Sequence, residues 1–399
     1  MCQDKKIVII AISRFHLFRM AEMLHHINRF GKVVTAYPRV VAIEKWPFMK
    51  GKVVSMPIFA LLRYLVILLK KYNLFNYIPW VQRFLHFSFS FCSARKIRKF
   101  NGVVIGLSSF MEEIILSKSS DKQIYIVDHG SLHLEAERKE LLPEIKKYGF
   151  KPFGNWQHQW MIEKMQREFE SADYIFCCSH LAKDTLVEYG VKKEKIVVNQ
   201  LGVDLRSFYI DKELRLSKQN ENFRFLHVSN MSPLKGLHYL IDAFCNIESD
   251  SAELWLVGPL PSESILKTKI FSNERIKYLG YMNEDELVNI YNKCDLFVHP
   301  SLADGWAMTV LQAMASGLPV IVSDMTGSKE IVKDDFNGWI VPSKDVERLT
   351  ALMENAINDR VHLLELGDNA AFTVAKGFDW SDYGVRLNDF FTNLERNIL

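Results

Sequence analysis

Two loops in this sequence carry residue types that can hold a diphosphate. Ser229-Asn230-Met231-Ser232-Pro233-Leu234-Lys235-Gly236 separates the strand pattern Phe223–Val228 from a helical pattern over Gly236–Ile247. Helix starts that follow parallel strands offer free amides and a positive dipole end to an anion, and Lys235 adds a cation. The plain alternative is a solvated lysine on an ordinary turn. The second loop, Pro300-Ser301-Leu302-Ala303-Asp304-Gly305-Trp306-Ala307-Met308, is again strand, loop and helix start. Gly305 permits close backbone approach, and the amides that follow it have no helical partner. Further along, Thr309, Gln312 and Ser316 share one helical face while Val310, Leu311 and Met314 face inward. Taken separately, a capping aspartate and an exposed glutamine are commonplace. Together, they can hold two ends of one extended ligand.

The elements that position these loops alternate short β-branched runs with longer helical patterns, which predicts an α/β fold of parallel sheets covered by helices. Strands are expected at Lys6–Ile10, Lys32–Ala36, Gly102–Gly106, Gln123–Val127, Tyr174–Cys178 and Ile196–Asn199. A second set follows at Phe223–Val228, Glu253–Val257, Ile276–Leu279, Leu296–His299, Pro319–Val322 and Gly338–Val341. Helices are expected between them, among them Phe18–Asn28, Trp160–Ser171, Asn283–Lys293, Met308–Ser316 and Val346–Ala356. Two sets in succession give two doubly wound, Rossmann-like domains, residues 1–200 and 201–375. The junction falls at Gln200-Leu201-Gly202-Val203-Asp204. After Phe378-Asp379-Trp380 one amphipathic helix remains, so residues 376–399 are expected to pack back across the N-terminal half. No internal repeat or low-complexity segment interrupts the pattern.

Composition narrows the function classes. The 399 residues are 48% hydrophobic and 24% charged, ordinary for a folded protein of two domains. A net charge of +3 is too small for a nucleic-acid binder. Six scattered cysteines without a CxxC pair argue against a zinc site or a disulfide framework and for buried thiols in a reducing compartment, most simply the cytoplasm. The run Ile7–Ala11 is short and has no small-residue cleavage site after it, so it reads as a strand rather than a signal peptide. The stretch Met56–Leu69 is cut by Arg63 and ends at Lys70-Lys71, too short and too charged to span a membrane. Beyond it, Arg83, Arg95, Lys96, Arg98 and Lys99 alternate with Phe84, Phe87, Phe89 and Phe91. That mixture suits either peripheral contact with an anionic membrane surface or buried helices with basic ends, the latter being the plainer reading.

The loops belong to a longer ordered set. Pro233-Leu234-Lys235-Gly236-Leu237, Leu254-Trp255-Leu256-Val257-Gly258, Leu279-Gly280-Tyr281, Asp295-Leu296-Phe297-Val298-His299-Pro300-Ser301, Gln312-Ala313-Met314-Ala315-Ser316-Gly317-Leu318-Pro319-Val320-Ile321 and Gly338-Trp339-Ile340-Val341-Pro342 follow one another between Phe223 and Pro342. In order and spacing this run resembles glycosyltransferase family 4. Asn199-Gln200-Leu201-Gly202-Val203-Asp204 resembles that family's inter-domain element, and Glu168–Ile175 with Ser179 its last N-domain helix and strand. The resemblance covers most of the chain and is weak from Pro38 to Asn101.

It implies a GT-B fold whose two domains face a central cleft, and a retaining, metal-independent transferase. The donor would be a UDP- or GDP-linked sugar, with no further cofactor. Lys235 would bind the donor diphosphate, and the backbone amides of Gly305, Trp306 and Ala307 the distal phosphate and sugar, with Asn230, Met308 and Tyr281 beside them. In the family's carboxylate pair, seven residues separate two glutamates; Asp304 and Gln312 occupy those positions here. Asp304 keeps a charge on a shorter arm for the donor sugar, and Gln312 keeps hydrogen bonding for the ribose. Asn230 stands where many relatives have arginine. The loop Asp128-His129-Gly130-Ser131-Leu132-His133 should open toward the cleft and present His129, with His133 next in order, near the reacting sugar; a structural histidine satisfying loop carbonyls is the alternative. Arg14 and His16, in the first strand-to-helix loop, fall where relatives contact acceptor or phosphate. The acceptor would be a glycan or lipid-linked, which places the protein in the cytoplasm or at the inner face of the membrane. A GT-B-shaped nucleotide-sugar epimerase and a non-catalytic partner subunit are the competing readings. A nicotinamide oxidoreductase is disfavoured because no GxGxxG follows the first strand.

Overall fold

Apolar runs without polar alternation make strands that must be covered on both faces. The computed structural model describes residues 6–13, 15–71, 79–150, 154–217, 222–260 and 266–398. It arranges such runs in two all-parallel sheets. The N-terminal sheet comprises β1 (Ile7–Ala11), β2 (Phe30–Thr35), β3 (Val53–Ser55), β4 (Val103–Leu107), β5 (Ile124–His129), β6 (Tyr174–Cys177) and β7 (Ile196–Val198), in the order β3-β2-β1-β4-β5-β6-β7. The C-terminal sheet comprises β8 (Phe223–Val228), β9 (Ala252–Val257), β10 (Ile276–Gly280), β11 (Leu296–His299), β12 (Val320–Ser323) and β13 (Gly338–Val341), in the order β10-β9-β8-β11-β12-β13. Every expected strand is present, its ends shifted by no more than two residues. The edge strand β3 was not foreseen, because three residues carry too little periodicity to stand out.

Strand order reverses beside β1 in one sheet and beside β8 in the other. A doubly wound sheet opens a crevice outside the carboxyl ends of its strands at that switch point. The loops after β1 and β4, and those after β8 and β11, are therefore where ligand-binding residues belong. The helix Phe15–His26 and the helix Met308–Ala315 start from such loops.

The expected return of the last helix is present. Trp380–Ile398 lies against Phe15–His26, with Arg29 Nη1 donating to Glu395 Oε1 at 2.6 Å and Phe390 packed edge-on against Tyr174 and Phe176. At the junction Val203 bridges to Asp379, and a Cβ on Gly202 would lie 2.7 Å from the Asp379 backbone, so glycine is required there. Leu201, Val203, Phe208 and Trp306 join the apolar interiors of the two halves into one cluster.

Two expectations are corrected. Among the described cysteines Cys177, Cys178 and Cys294 are buried, but Cys245 is exposed and Cys92 half-buried. The helices Pro57–Lys71 and Pro79–Ile97 are buried only along one face: Phe59, Leu85 and Phe89 enter the core, whereas Trp80, Phe84, Phe87 and Phe91 face outward. Among the described residues no helix is long and apolar enough to cross a membrane.

Candidate functional site

Close backbone contacts bring the two C-domain loops together. After β8 the chain makes a short 3-10 turn, Pro233–Lys235, ending on Gly236 at φ 67°. A Cβ at Gly236 would stand 1.8 Å from the Pro300 carbonyl oxygen, so only glycine lets the loops touch. Ser301 Oγ and the Leu302 amide both donate to the Leu234 carbonyl at 2.8 Å. Buried His227 braces the base of the site, its ring bonded to the Val298 carbonyl and to Ser229 Oγ, each at 2.8 Å.

This packing places Lys235 on Asp304. Lys235 Nζ donates to Asp304 Oδ2 at 2.5 Å, and His299 Nε2 to the same oxygen at 3.0 Å. Asp304 Oδ1 accepts from the amides of Trp306 at 3.3 Å and Ala307 at 3.1 Å. Burial pushes the Asp304 carboxyl up, but the Lys235 charge and the hydrogen bonds from His299 and Lys235 outweigh it and hold the group well below the usual carboxylate range. Burial pulls the His299 imidazole down, against Asp304, so it serves as a neutral donor. Ala307 caps the helix Met308–Ala315 at φ 56° and ψ 77°, a left-handed conformation that costs a non-glycine residue about 1 kcal/mol or more. That strained residue helps aim the loop amides at a single point. Four donors thus converge on one anion position, which the Asp304 carboxylate occupies.

The point lies beside the other domain. A Cβ on Gly305 would meet the Gly130 carbonyl oxygen at 2.4 Å, so the N-domain loop rests directly on the donor loop. A cavity of about 1110 Å³ extends between the halves, lined by Ser13, His16 and Arg19 from one side and Tyr281, Met308 and Gln312 from the other. Gln312 Oε1 accepts from the Tyr291 hydroxyl at 3.1 Å, which orients the amide. Tyr281 is 72% exposed at the rim. Asn230 is exposed, its carbonyl engaged by the Ser232 amide. The Trp306 side chain points away from the cavity, buried, with Nε1 donating to the Leu201 carbonyl at 3.1 Å; only its amide faces the anion position. Arg14 lies outside the described residues.

The histidines fall differently from expectation. His129 is 1% exposed, with Nδ1 bonded to Ser108 Oγ at 3.0 Å and Nε2 to the Leu132 carbonyl at 3.2 Å. Burial, with His133 nearby, pushes it down to about 4, so the ring is neutral and fully partnered inside the domain. His133 caps the helix Leu134–Tyr148, stacks on Tyr189 with ring centroids 4.6 Å apart, and lines a separate pocket with Gln166 and Arg167. Neither ring lines the cleft; His16 does. Its Nε2 sits 2.5 Å from Asp128 Oδ2 at the end of β5. Burial lowers its proton affinity, but the Asp128 charge and hydrogen bond outweigh burial and raise it above the ordinary value.

Sequence reasoning missed Glu137. It lies on the helix Leu134–Tyr148, 8% exposed, near enough to Lys235 and Asp304 to feel both charges. Burial foremost, then Asp304, push its carboxyl up to about 8 against Lys235 and the Ser131 hydroxyl. A glutamate on a polar helix gives no local signal of such a position. Among the described residues no group of three or more His, Cys, Asp or Glu is placed to hold a metal.

Two family models match the chain: glycosyl transferases group 1 over residues 211–371, and glycosyltransferase family 4 over residues 73–207. The amylovoran biosynthesis glycosyltransferase AmsK of Erwinia amylovora is 28% identical over 199 residues, 47% of this chain and 48% of that protein. The serotype-specific mannosyltransferase WbdA of Escherichia coli is 26% identical over 274 residues, 64% of this chain and 33% of that protein. A UDP-Gal:alpha-D-GlcNAc-diphosphoundecaprenol alpha-1,3-galactosyltransferase of Escherichia coli is 27% identical over 239 residues, 56% of this chain and 61% of that protein. The matched region thus spans about half or less of AmsK and WbdA. Among solved structures, sucrose-phosphate synthase from Thermosynechococcus elongatus superimposes with a TM-score of 0.76 at 17% identity, covering 98% of this chain and 100% of that one. The Anabaena protein HepE with UDP and glucose superimposes with a TM-score of 0.72 at 17% identity, with the same coverage of both chains. The architecture is GT-B.

Proposed function

The chain belongs to the group 1 glycosyltransferases of the family 4 type, and from that premise we propose that it moves a sugar from a nucleotide-sugar donor to a hydroxyl acceptor in polysaccharide or glycoconjugate assembly. The observation that carries this is the convergence of Lys235, His299 and the Trp306 and Ala307 amides on one anion position at the switch point of the second sheet.

In this reading the donor diphosphate takes that position and Asp304 swings off the amides toward the sugar. Lys235 and the amides, fixed before the donor arrives, stabilise the charge that grows on the leaving phosphate. Gln312, oriented by Tyr291, takes the ribose, and Tyr281 lies toward the base. The sugar then projects to the N-domain loop at Gly130 and Ser131, with His16 as the histidine of the acceptor side. Transfer proceeds with retention and without a metal: the acceptor hydroxyl attacks from the face the phosphate leaves, and the leaving phosphate oxygen takes its proton. No dedicated base is required, so an engaged His129 is compatible with turnover.

HepE was solved with UDP and glucose, and one Escherichia coli relative uses UDP-Gal, so UDP-sugars are the first donors to test. GDP-sugars are the second. Gln312, a neutral group at the second position of the carboxylate pair, and Asn230, where many relatives have arginine, are the features that favour a non-catalytic partner subunit. A panel of nucleotide sugars separates the readings. Acceptor-dependent release of nucleoside diphosphate is expected; binding without release would support the partner subunit, and no binding at all would sink both catalytic readings, transferase and epimerase.

A further inference from the structure

We propose that the N-terminal half docks on an anionic lipid surface through the outward faces of the helices Pro57–Lys71 and Pro79–Ile97. The inference stands on surface chemistry alone and does not depend on the donor site. On the second helix Trp80, Phe84, Phe87 and Phe91 are 64%, 57%, 49% and 42% exposed. At 100° per residue the four fall within an arc of about 60°. Arg83 and Arg95, both exposed, flank that arc about 60° to either side of Trp80. The Arg95 guanidinium lies 4.6 Å from the Phe91 ring centroid. The first helix adds Ile58, Leu61 and Leu65, each about half exposed or more, and the Phe59 and Phe89 rings, 5.5 Å apart, lock the two helices side by side.

Charge selects the occupant. The chain has 47 Asp and Glu, yet none between Glu44 and Glu112, where eleven Lys and Arg fall. Glu112 and Glu113, which line a pocket beside the stripe, are already paired: Glu113 with Lys164 at 2.6 Å and Glu112 with Arg167 at 2.5 Å. An aromatic stripe bordered by arginines matches the boundary between acyl chains and anionic headgroups, where Trp rings settle and cations meet phosphate. A symmetric second copy would press Arg83 and Arg95 against their own kind. The surface therefore fits lipid better than itself.

The test uses the full chain with vesicles of phosphatidylcholine alone or mixed with phosphatidylglycerol, read by co-sedimentation. Binding is expected only to the anionic vesicles, and should weaken as salt rises. Arg83→Gln and Arg95→Gln should each lower partitioning about fivefold, the equivalent of about 1 kcal/mol per basic residue near the surface. Phe84→Ser combined with Phe87→Ser should lower it at least about tenfold through lost apolar burial, with Tm and nucleotide binding unchanged. Absence of sedimentation with either vesicle, equal sedimentation with both, or full binding by the Phe84/Phe87 variant would overturn the proposal. So would a lipid-free dimer, seen by sedimentation velocity, that the same variant dissolves.

Discussion

Asp304→Asn should tighten the binding of a nucleoside diphosphate while slowing transfer. In the free protein the Asp304 carboxylate accepts from Lys235, His299 and two loop amides. A phosphate needs three of those donors, and two anions cannot share them without repulsion. Like charges about 5 Å apart repel by about 3 kcal/mol at an effective dielectric constant of about 20. Counterions and movement of the side chain relieve part of that, leaving about 1.4–2.8 kcal/mol, or a ten- to hundredfold gain in affinity when the charge is removed. Asparagine keeps the shape and an oxygen for the amides, so the loop should hold. Titration calorimetry with UDP and GDP in parallel, rather than with the sugar donors, isolates the phosphate effect from the loss of the sugar contact. Unchanged or weakened affinity in a variant of normal fold would refute the view that Asp304 occupies the phosphate position.

Other expectations follow from the same geometry. Lys235→Ala should lower kcat/KM for transfer about 100-fold or more, the scale of losing one preorganised charge contact in the transition state; a near-normal rate in the acceptor-dependent assay contradicts it. Glu137 is raised from 4.5 to about 8 in the fold, so between those pH values the folded state keeps a proton that the unfolded chain releases, and stability drains away as pH rises. Glu137→Gln removes that drain, so its Tm should exceed the parent's by a margin that opens between pH 4.5 and about 8; a margin independent of pH would count against this assignment. The Asp128 charge and hydrogen bond raise His16 against burial, so the stability they lend is present below the ordinary value of 6.5 and fades as pH rises through the elevated one. With Asp128→Asn burial acts unopposed, and the His16 ring, followed by NMR, should titrate below 6.5 instead of above it.

The sheets were legible because strands covered on both faces are near-continuous apolar runs, as in β1 and β12. The donor loops were legible for a related reason: Gly236 and Gly305 mark close approaches that leave a fixed trace in sequence. What stayed hidden is tertiary. His16 and Asp128 are 112 residues apart, and only the adjacency of β1, β4 and β5 joins them. His129 sits at the expected strand end but turns inward, since Ser108 and the Leu132 carbonyl take both its nitrogens. Nor does spacing alone tell an outward aromatic stripe from an inward one. Trp80 and Phe89 differ in exposure because Phe59 covers only the second.

The structure of the protein with the nucleoside diphosphate it binds best tests the central claim most directly. A phosphate within hydrogen-bonding distance of Lys235 Nζ and the Trp306 and Ala307 amides, with the Asp304 carboxylate turned away from them, is the predicted result. A phosphate bound elsewhere in the cleft, with the Lys235–Asp304 pair intact, would contradict it.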